Sequence, residues 1–427
     1  MMNVEADRQS LNILVPEAHA LGAIAVIRSL GRAGYRVHAC SSDRRALGLR
    51  SNFAWCGEII PSYDNPAFIR WLRAYIRDQK INGIVPSEGF LHAIHDHFDE
   101  FRHLMPVPQN RHTAFAAFSK IDVMKALTSA SEGTDWHQHL PPSIIVERGR
   151  ATPSVDDIHE LGAPFFLKGD ARDHRHGHEA LIQRLETAEA AQAALIEALE
   201  SYDALLLQGW VGGVKAAASF CLDHKDGMPV AVSGVLGLRT TPHQGGMMTC
   251  RQSWNHDKMC ATAKAWLHRM GWRGVAMVEC KWDPETDQFW LIEINARFWG
   301  YLHLDLFSGV DMPRIQMDRF FGLGHEPAPR QKLGVRCRHT LPGDASFLIS
   351  LLKDPSVGRM QKARAIVRFL ADFTDPRLHS DLLFPGDRHL YWHQAGQYIS
   401  DTGKRLYQRL RAAGGHQTTT DILKPAE

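Results

Sequence analysis

Val278-Glu279-Cys280-Lys281 and, after a polar turn, Leu291-Ile292-Glu293-Ile294-Asn295-Ala296-Arg297-Phe298-Trp299-Gly300 are the residues whose reading decides the fold. The turn, Asp283-Pro284-Glu285-Thr286-Asp287, is rich in turn-forming residues and lies between two apolar alternations, so the stretch predicts a β-hairpin. Side chains alternate faces along a strand, which puts Glu293, Asn295 and Arg297 on one face. A hairpin centred near Thr286 sets Glu279 directly across from Glu293, on that same face. Opposed Cβ atoms in such a pair are about 5 Å apart. Like charges that close are costly unless a cation sits between them, and hard divalent ions favour oxygen ligands and bridge to phosphates. The pattern therefore points to a phosphate-and-magnesium site. The plainer reading, a solvated strand face, fits poorly with Phe289-Trp290-Leu291-Ile292, which is apolar on both faces. That strand should be buried, and buried acids need partners.

At 427 residues the chain is too long for one ordinary core, so two or three compact units are expected. Its 44% hydrophobic and 22% charged residues fit a soluble globular enzyme, and a net charge of +2 gives no reason to expect a nucleic-acid partner. No apolar run reaches the roughly 18 residues that span a bilayer, and the first residues lack an apolar signal core. No membrane partner is expected. The seven cysteines are scattered, odd in number and never spaced as CxxC, which favours a reducing, cytoplasmic setting and offers no zinc site.

Working outward toward the N-terminus, Leu11–Val15 reads as a strand, Ala20–Leu30 as a helix and Tyr35–Cys40 as a second strand. This βαβ order predicts a parallel sheet, extended by a helix from Phe68 to Gln79 and a strand over Gly83–Pro86. Ser87-Glu88-Gly89 then falls at a strand's C-terminal end, where open α/β sheets bind ligands. The first strand–helix loop is no GxGxxG, so a dinucleotide site is unsupported. A second unit begins near Pro141-Pro142. It holds a strand carrying Lys168, a helix from Glu179 to Leu199 and a strand ending at Gln208-Gly209. Further strands are expected over Ala216–Asp223 and Pro229–Thr240, then a helix from Asp257 to Met270. Beyond about residue 330 the chain reads as helical and basic, with an aromatic and histidine cluster at Phe384–His393 expected to cap a core.

In this order the elements resemble the ATP-grasp superfamily, most of all its carboxylate–amine ligase-like branch, and are similar in layout to biotin carboxylase and D-alanine–D-alanine ligase. The resemblance spans roughly residues 10–325 and is strongest at Glu279, at Glu293–Gly300 and at Gly309-Val310-Asp311-Met312-Pro313. It implies an α/β chain in which an α+β ATP-grasp fold follows a Rossmann-like parallel domain, with a helical C-terminal segment. The expected bounds are 1–118 for the Rossmann-like domain and 119–330 for the ATP-grasp domain. The latter divides into a lid of about 140–205 and a larger subdomain of about 206–330, followed by a helical extension over 331–411 and a disordered tail over 412–427.

The resemblance also implies roles. Glu279, Glu293 and Asn295 match magnesium ligands that bridge ATP phosphates, with manganese as an alternative ion. Arg297 matches the arginine that steadies the reacting phosphoryl or acyl group. Lys168 and Lys120 match lysines that reach the phosphates. Gln208-Gly209-Trp210-Val211 falls at the hinge that hydrogen-bonds adenine. Arg239, with Gly245-Gly246, is a candidate for holding the carboxylate or intermediate. A solvated position is the competing reading for Lys120 and Arg239, and core packing for Trp210.

Two departures stand out. The hinge opens with Gln208 where family members carry an acid, and the phosphate loop over 169–178 is poor in glycine. Arg172, Arg175 and three histidines there are candidates for gripping phosphate through side chains. The family's chemistry makes an acylphosphate from a carboxylate and ATP, and an amine then displaces phosphate. A small carboxylate and an amine are thus the implied substrates; a homodimer is a further expectation, with the cluster near Tyr391 as one candidate for its contact. An ATP-dependent carboxylase and a non-catalytic nucleotide sensor are the rival expectations.

Overall fold

The computed structural model describes residues 4–414 apart from 176–179, 243–245 and 325–327. Three sheets organise it. The first is parallel, in the order β3-β2-β1-β4, with β1 at Asn12–Val15, β2 at Arg36–Ser41, β3 at Cys56–Ile59 and β4 at Ile81–Ile84. The Leu21–Arg32 helix between β1 and β2 buries Ile24, Ala25, Val26, Ile27 and Leu30. A helix apolar on so many sides must be covered on both faces, and here later segments of the chain cover it.

The second sheet is antiparallel, in the order β5-β8-β6-β7, with β5 at Ser143–Glu147, β6 at Phe165–Gly169, β7 at Leu181–Leu185 and β8 at Ala204–Gly209. Phe165, Leu167, Leu205 and Leu207 pack one face of it against Ile158, Ala191 and Leu195. The helix expected from Glu179 is corrected here. Leu181–Leu185 is an edge strand paired to β6, and helix begins only at Ala188, where the Thr187 side chain accepts a hydrogen bond from Ala190 N. Pairing on β6 overrides the helical reading of 181–185, because Leu185 is buried there while Ile182 faces solvent.

The third sheet has seven strands, in the order β13-β12-β9-β10-β11-β14-β15. They are β9 Val214–Leu222, β10 Pro229–Thr241, β11 Met247–Ser253, β12 Gly274–Trp282, β13 Phe289–Asn295, β14 Arg336–Arg338 and β15 Leu378–Ser380. The hairpin register is the expected one, with Glu279 directly opposite Glu293. Both faces of this sheet are buried. Ala276, Val278 and Cys280 pack on Met259, Ala263, Trp266 and Leu127. Val275 and Met277 face Val26, Leu304 and Met317. Glu279 follows Met277 by two residues, so it points toward the parallel sheet and not into the first of these cores.

Beyond residue 330 the chain is helical over Ala345–Lys353, Arg359–Ala371 and His389–Gly414, as expected, yet it also supplies β14 and β15. β14 pairs with β11, so this segment completes the sheet. The aromatic cluster docks on the Leu21–Arg32 helix. Leu382 and Leu390 pack with Ile24 and Leu47, and buried Asp387 accepts from Arg28 Nε at 2.8 Å. The tail expected over 412–427 lies outside the described residues past Gly414.

Candidate functional site

Two adjoining cavities open where the parallel sheet's C-terminal ends meet the seven-stranded sheet. The larger, about 880 Å³, is lined by Glu17, Glu88, Lys215, Arg251, Glu279 and Tyr301 among others. The smaller, about 210 Å³, is lined by Lys120, Lys168, Leu206, Gln208 and Ile292. Glu88, Glu293, Asn295 and Arg297 line both. The hairpin residues quoted at the outset thus form the wall between them.

Glu279 is buried on β12, and burial pushes its carboxyl up while Lys215 pulls it down and Glu293 adds to the rise. The Lys215 ammonium, on neighbouring β9, rests directly on the Glu279 carboxylate. Asn295 Nδ2 donates to Glu293 Oε1 at 2.9 Å and fixes the second carboxylate. Arg297 Nε donates to Glu88 Oε2 at 2.9 Å, tying the end of β13 to the first turn of the Glu88–Ala93 helix. Ser87 caps that helix by accepting from Phe90 N. Glu17 lies in a left-handed backbone (φ 53°), an arrangement that costs a non-glycine residue about 1 kcal/mol. A Cβ at residue 89 would stand 2.2 Å from Glu17 Oε1, so glycine there is what lets this carboxylate approach the helix start.

In the smaller cavity, Lys168 Nζ donates to Gln208 Oε1 at 2.5 Å, and Gln208 Nε2 donates to Ser143 Oγ at 3.1 Å. Burial and, after it, the neighbouring Lys120 lower the Lys168 ammonium to about 8 against the pull of Glu293. Gln208 therefore spends its carbonyl oxygen on Lys168. Asp170, in the glycine-poor loop, holds the start of the Lys120–Ser131 helix by accepting from Ser119 Oγ (2.7 Å) and Lys120 N (3.1 Å). A carboxylate at a helix N-terminus is favourably placed, and this one fixes where Lys120 begins.

Several expected residues are not brought to the cavities. Arg239 is corrected: its guanidinium pairs with Asp344 (2.7 Å) and Asp372 (2.6 Å), supplied by the C-terminal segment, and lines neither cavity. Gly209, Trp210 and Val211 line neither cavity. A Cβ on Gly209 would meet Leu161 O at 1.7 Å, so that glycine serves close chain packing, and Trp210 is 52% exposed. Gly246 does line the larger cavity, whereas Gly245 lies outside the described residues. So do His176, Gly177 and His178 of the loop expected to meet phosphate and the side chain of Arg172; Arg175 is exposed near Asp203.

Sequence reasoning missed Lys215, Arg251 and His339. Lys215 carried a signal, because it is in phase with Ala217, which opposes Glu279. Arg251 carried none. It is buried on β11 and paired with Asp381, more than a hundred residues later in the chain. His339 is kept neutral, with burial pulling it down to about 4 against the pull of Asp381.

Among the described residues no cluster of three or more His, Cys, Asp or Glu could hold a metal ion. The donor set at the hairpin is two carboxylates and one amide. That set fits magnesium, which takes few protein ligands and completes its shell with water and phosphate oxygens.

No protein-family model and no curated protein matches the sequence. Solved structures do match in shape. The biotin carboxylase of Campylobacter jejuni, in a β,γ-ATP complex, aligns at TM-score 0.55 and 16% identity, over 76% of this chain and 74% of that one. The biotin carboxylase domain of the Hydrogenobacter thermophilus 2-oxoglutarate carboxylase aligns at 0.54 and 14%, over 76% and 73%. An ADP complex of N5-carboxyaminoimidazole ribonucleotide synthetase aligns at 0.53 and 14%, over 76% and 79%. At such identities the likeness is one of architecture, and with the parallel sheet, the four-stranded antiparallel sheet and the buried acidic hairpin in place it gives this chain the ATP-grasp fold.

Proposed function

We propose that the chain is an ATP-dependent ligase that converts a small carboxylate to an acylphosphate and joins it to an amine, releasing ADP and phosphate. The observation that carries this reading is the wall shared by the two cavities. There Glu293, Asn295 and Arg297 face the smaller cavity with Lys120 and Lys168 on one side and a cavity large enough for an organic substrate on the other.

In this reading Lys120 and Lys168 meet the nucleotide phosphates in the smaller cavity. Glu279, Glu293 and Asn295 would hold magnesium, which when bound neutralises charge on the phosphates. The substrate carboxylate oxygen attacks the γ-phosphorus and the bond to the ADP oxygen breaks. Arg297, held by Glu88, stabilises charge on the transferring group and then on the tetrahedral intermediate formed when the amine attacks. Positioning and charge neutralisation do the work, so no side-chain nucleophile is required. The unit over 119–330, with its lid at about 140–205, would close over ATP, and the segment from 331 onward would brace it.

Carboxylation through carboxyphosphate is the second reading, favoured by the Hydrogenobacter thermophilus neighbour, which was captured with MgADP and bicarbonate. Both chemistries start with a carboxylate attacking ATP and differ in which one. The test is ADP release by the purified protein with Mg-ATP against pooled carboxylates, with and without amines. ADP that forms only when a carboxylate and an amine are both present supports the ligase. ADP with bicarbonate alone moves the reading to the carboxylase, and ATP binding without ADP across all pools would sink both.

A further inference from the structure

The Arg359–Ala371 helix has no buried residue, although it is rich in large apolar side chains. Met360, Val367 and Leu370, with Phe373 just beyond the helix, are each more than half exposed. Within the helix Met360, Ala363, Val367 and Leu370 recur at three- and four-residue intervals, which makes one outward stripe, and Phe373 sits at its margin. The opposite side holds the helix to the protein through half-buried Ala365, Phe369 and Asp372. Asp372 pairs with Arg239, and the Arg338 guanidinium lies over Phe373 at 4.3 Å and Phe369 at 5.8 Å.

Charge on this helix has one sign. It carries Arg359, Lys362, Arg364 and Arg368 and no Asp or Glu. Among the described residues none of the four pairs with an acid. The acids that follow the helix are already committed, Asp372 to Arg239 and Asp375 to Arg336 (2.5 Å). An apolar stripe flanked by uncompensated cations is the pattern of a helix that lies in a lipid headgroup layer.

We propose that this face docks on an anionic lipid surface. Two other occupants fit less well. A second copy would set Arg364 and Arg368 near the same cations of its partner, which is unfavourable. A protein groove would enclose the helix, whereas its inward side is fixed and only one flat face is offered. The proposal concerns peripheral binding: among the described residues no helix is long and apolar enough to cross a membrane. It stands independently of the proposed reaction and revises the sequence expectation that no membrane takes part.

The test is co-sedimentation of the full chain with vesicles of phosphatidylcholine alone and of phosphatidylcholine mixed with phosphatidylglycerol. Binding to the anionic vesicles only, falling as salt is raised, is expected. Arg364→Glu with Arg368→Glu should weaken it by about tenfold or more. Val367→Ser with Leu370→Ser should weaken it as well, with the thermal melt unchanged because these side chains are exposed. No sedimentation with anionic vesicles at low salt, or sedimentation that neither pair alters, overturns the proposal. So does a concentration-dependent dimer in light scattering that Val367→Ser with Leu370→Ser dissolves, which would assign the face to a second copy. Capture of the helix by an acidic protein without lipid binding also overturns it.

Discussion

The Lys215 ammonium sits on the Glu279 carboxylate, and Glu293 stands directly opposite Glu279 on the next strand. Lys215 is thus the direct partner of Glu279, while Glu293 interacts with Lys168. Removing one partner of a buried pair leaves an uncompensated charge, which costs about 3 kcal/mol or more. Lys215→Met should lower the melting temperature without magnesium, and added magnesium should raise it more in the variant than in the wild type. Equal magnesium shifts in the two proteins would argue against a metal at Glu279.

Glu293 lines both cavities, as Glu88 does, and it is held by Asn295. Glu293→Gln keeps the shape and removes the charge. ADP formation should fall by at least about 100-fold, with the circular dichroism spectrum unchanged. Near wild-type ADP release from this variant would end the phosphoryl-transfer reading.

Lys168 carries a cost for its position. Its folded value of about 8 lies below the ordinary 10.5, so between those values the unfolded chain binds more protons, and stability attributable to this group rises with pH through that window. Lys168→Met should therefore melt no lower than wild type at pH 7 without nucleotide, and that advantage should shrink as pH rises from about 8 toward 10. The thermal shift given by ATP should fall in the variant, and in the wild type it should weaken above about pH 8 as the ammonium deprotonates. A variant that destabilises at pH 7 and still binds ATP normally would contradict both halves.

Arg239 makes a contrasting case, because its partners are Asp344 and Asp372 and not substrate. Arg239→Met should cost about 3 kcal/mol of stability measured by urea unfolding. The Michaelis constants of the folded fraction should stay unchanged. A folded variant with a raised constant for the carboxylate would return Arg239 to the substrate site.

The acidic hairpin was legible in the sequence because two local signals agreed. The turn run placed the hairpin near Thr286 and alternation gave the acids a common face, so Glu279 and Glu293 were placed opposite each other; the pairing is reached through a one-residue register shift between Glu279 and Cys280 that left no sign in the sequence. The parallel sheet was legible for the same reason, its helix and strands being short, apolar and adjacent. β11 was not. No strand was expected over Met247–Ser253: Thr249, Arg251 and Ser253 are polar yet buried, and their partners Asp344, Asp381 and Lys332 come from far along the chain. Arg239 looked available for the same reason. Long-range ion pairs leave no trace in local periodicity.

The strand β14 has a consequence for how the molecule is made. It covers the free edge of β11, and Asp381, directly after β15, neutralises buried Arg251 in the wall of the larger cavity. A chain cut near residue 330 would expose an unpaired strand edge and strand a positive charge in the interior. During synthesis the wall therefore cannot close as each successive residue emerges from the ribosome. It waits for a residue 130 positions downstream of Arg251, so the nascent protein stays incompetent until β14, β15 and Asp381 have been delivered.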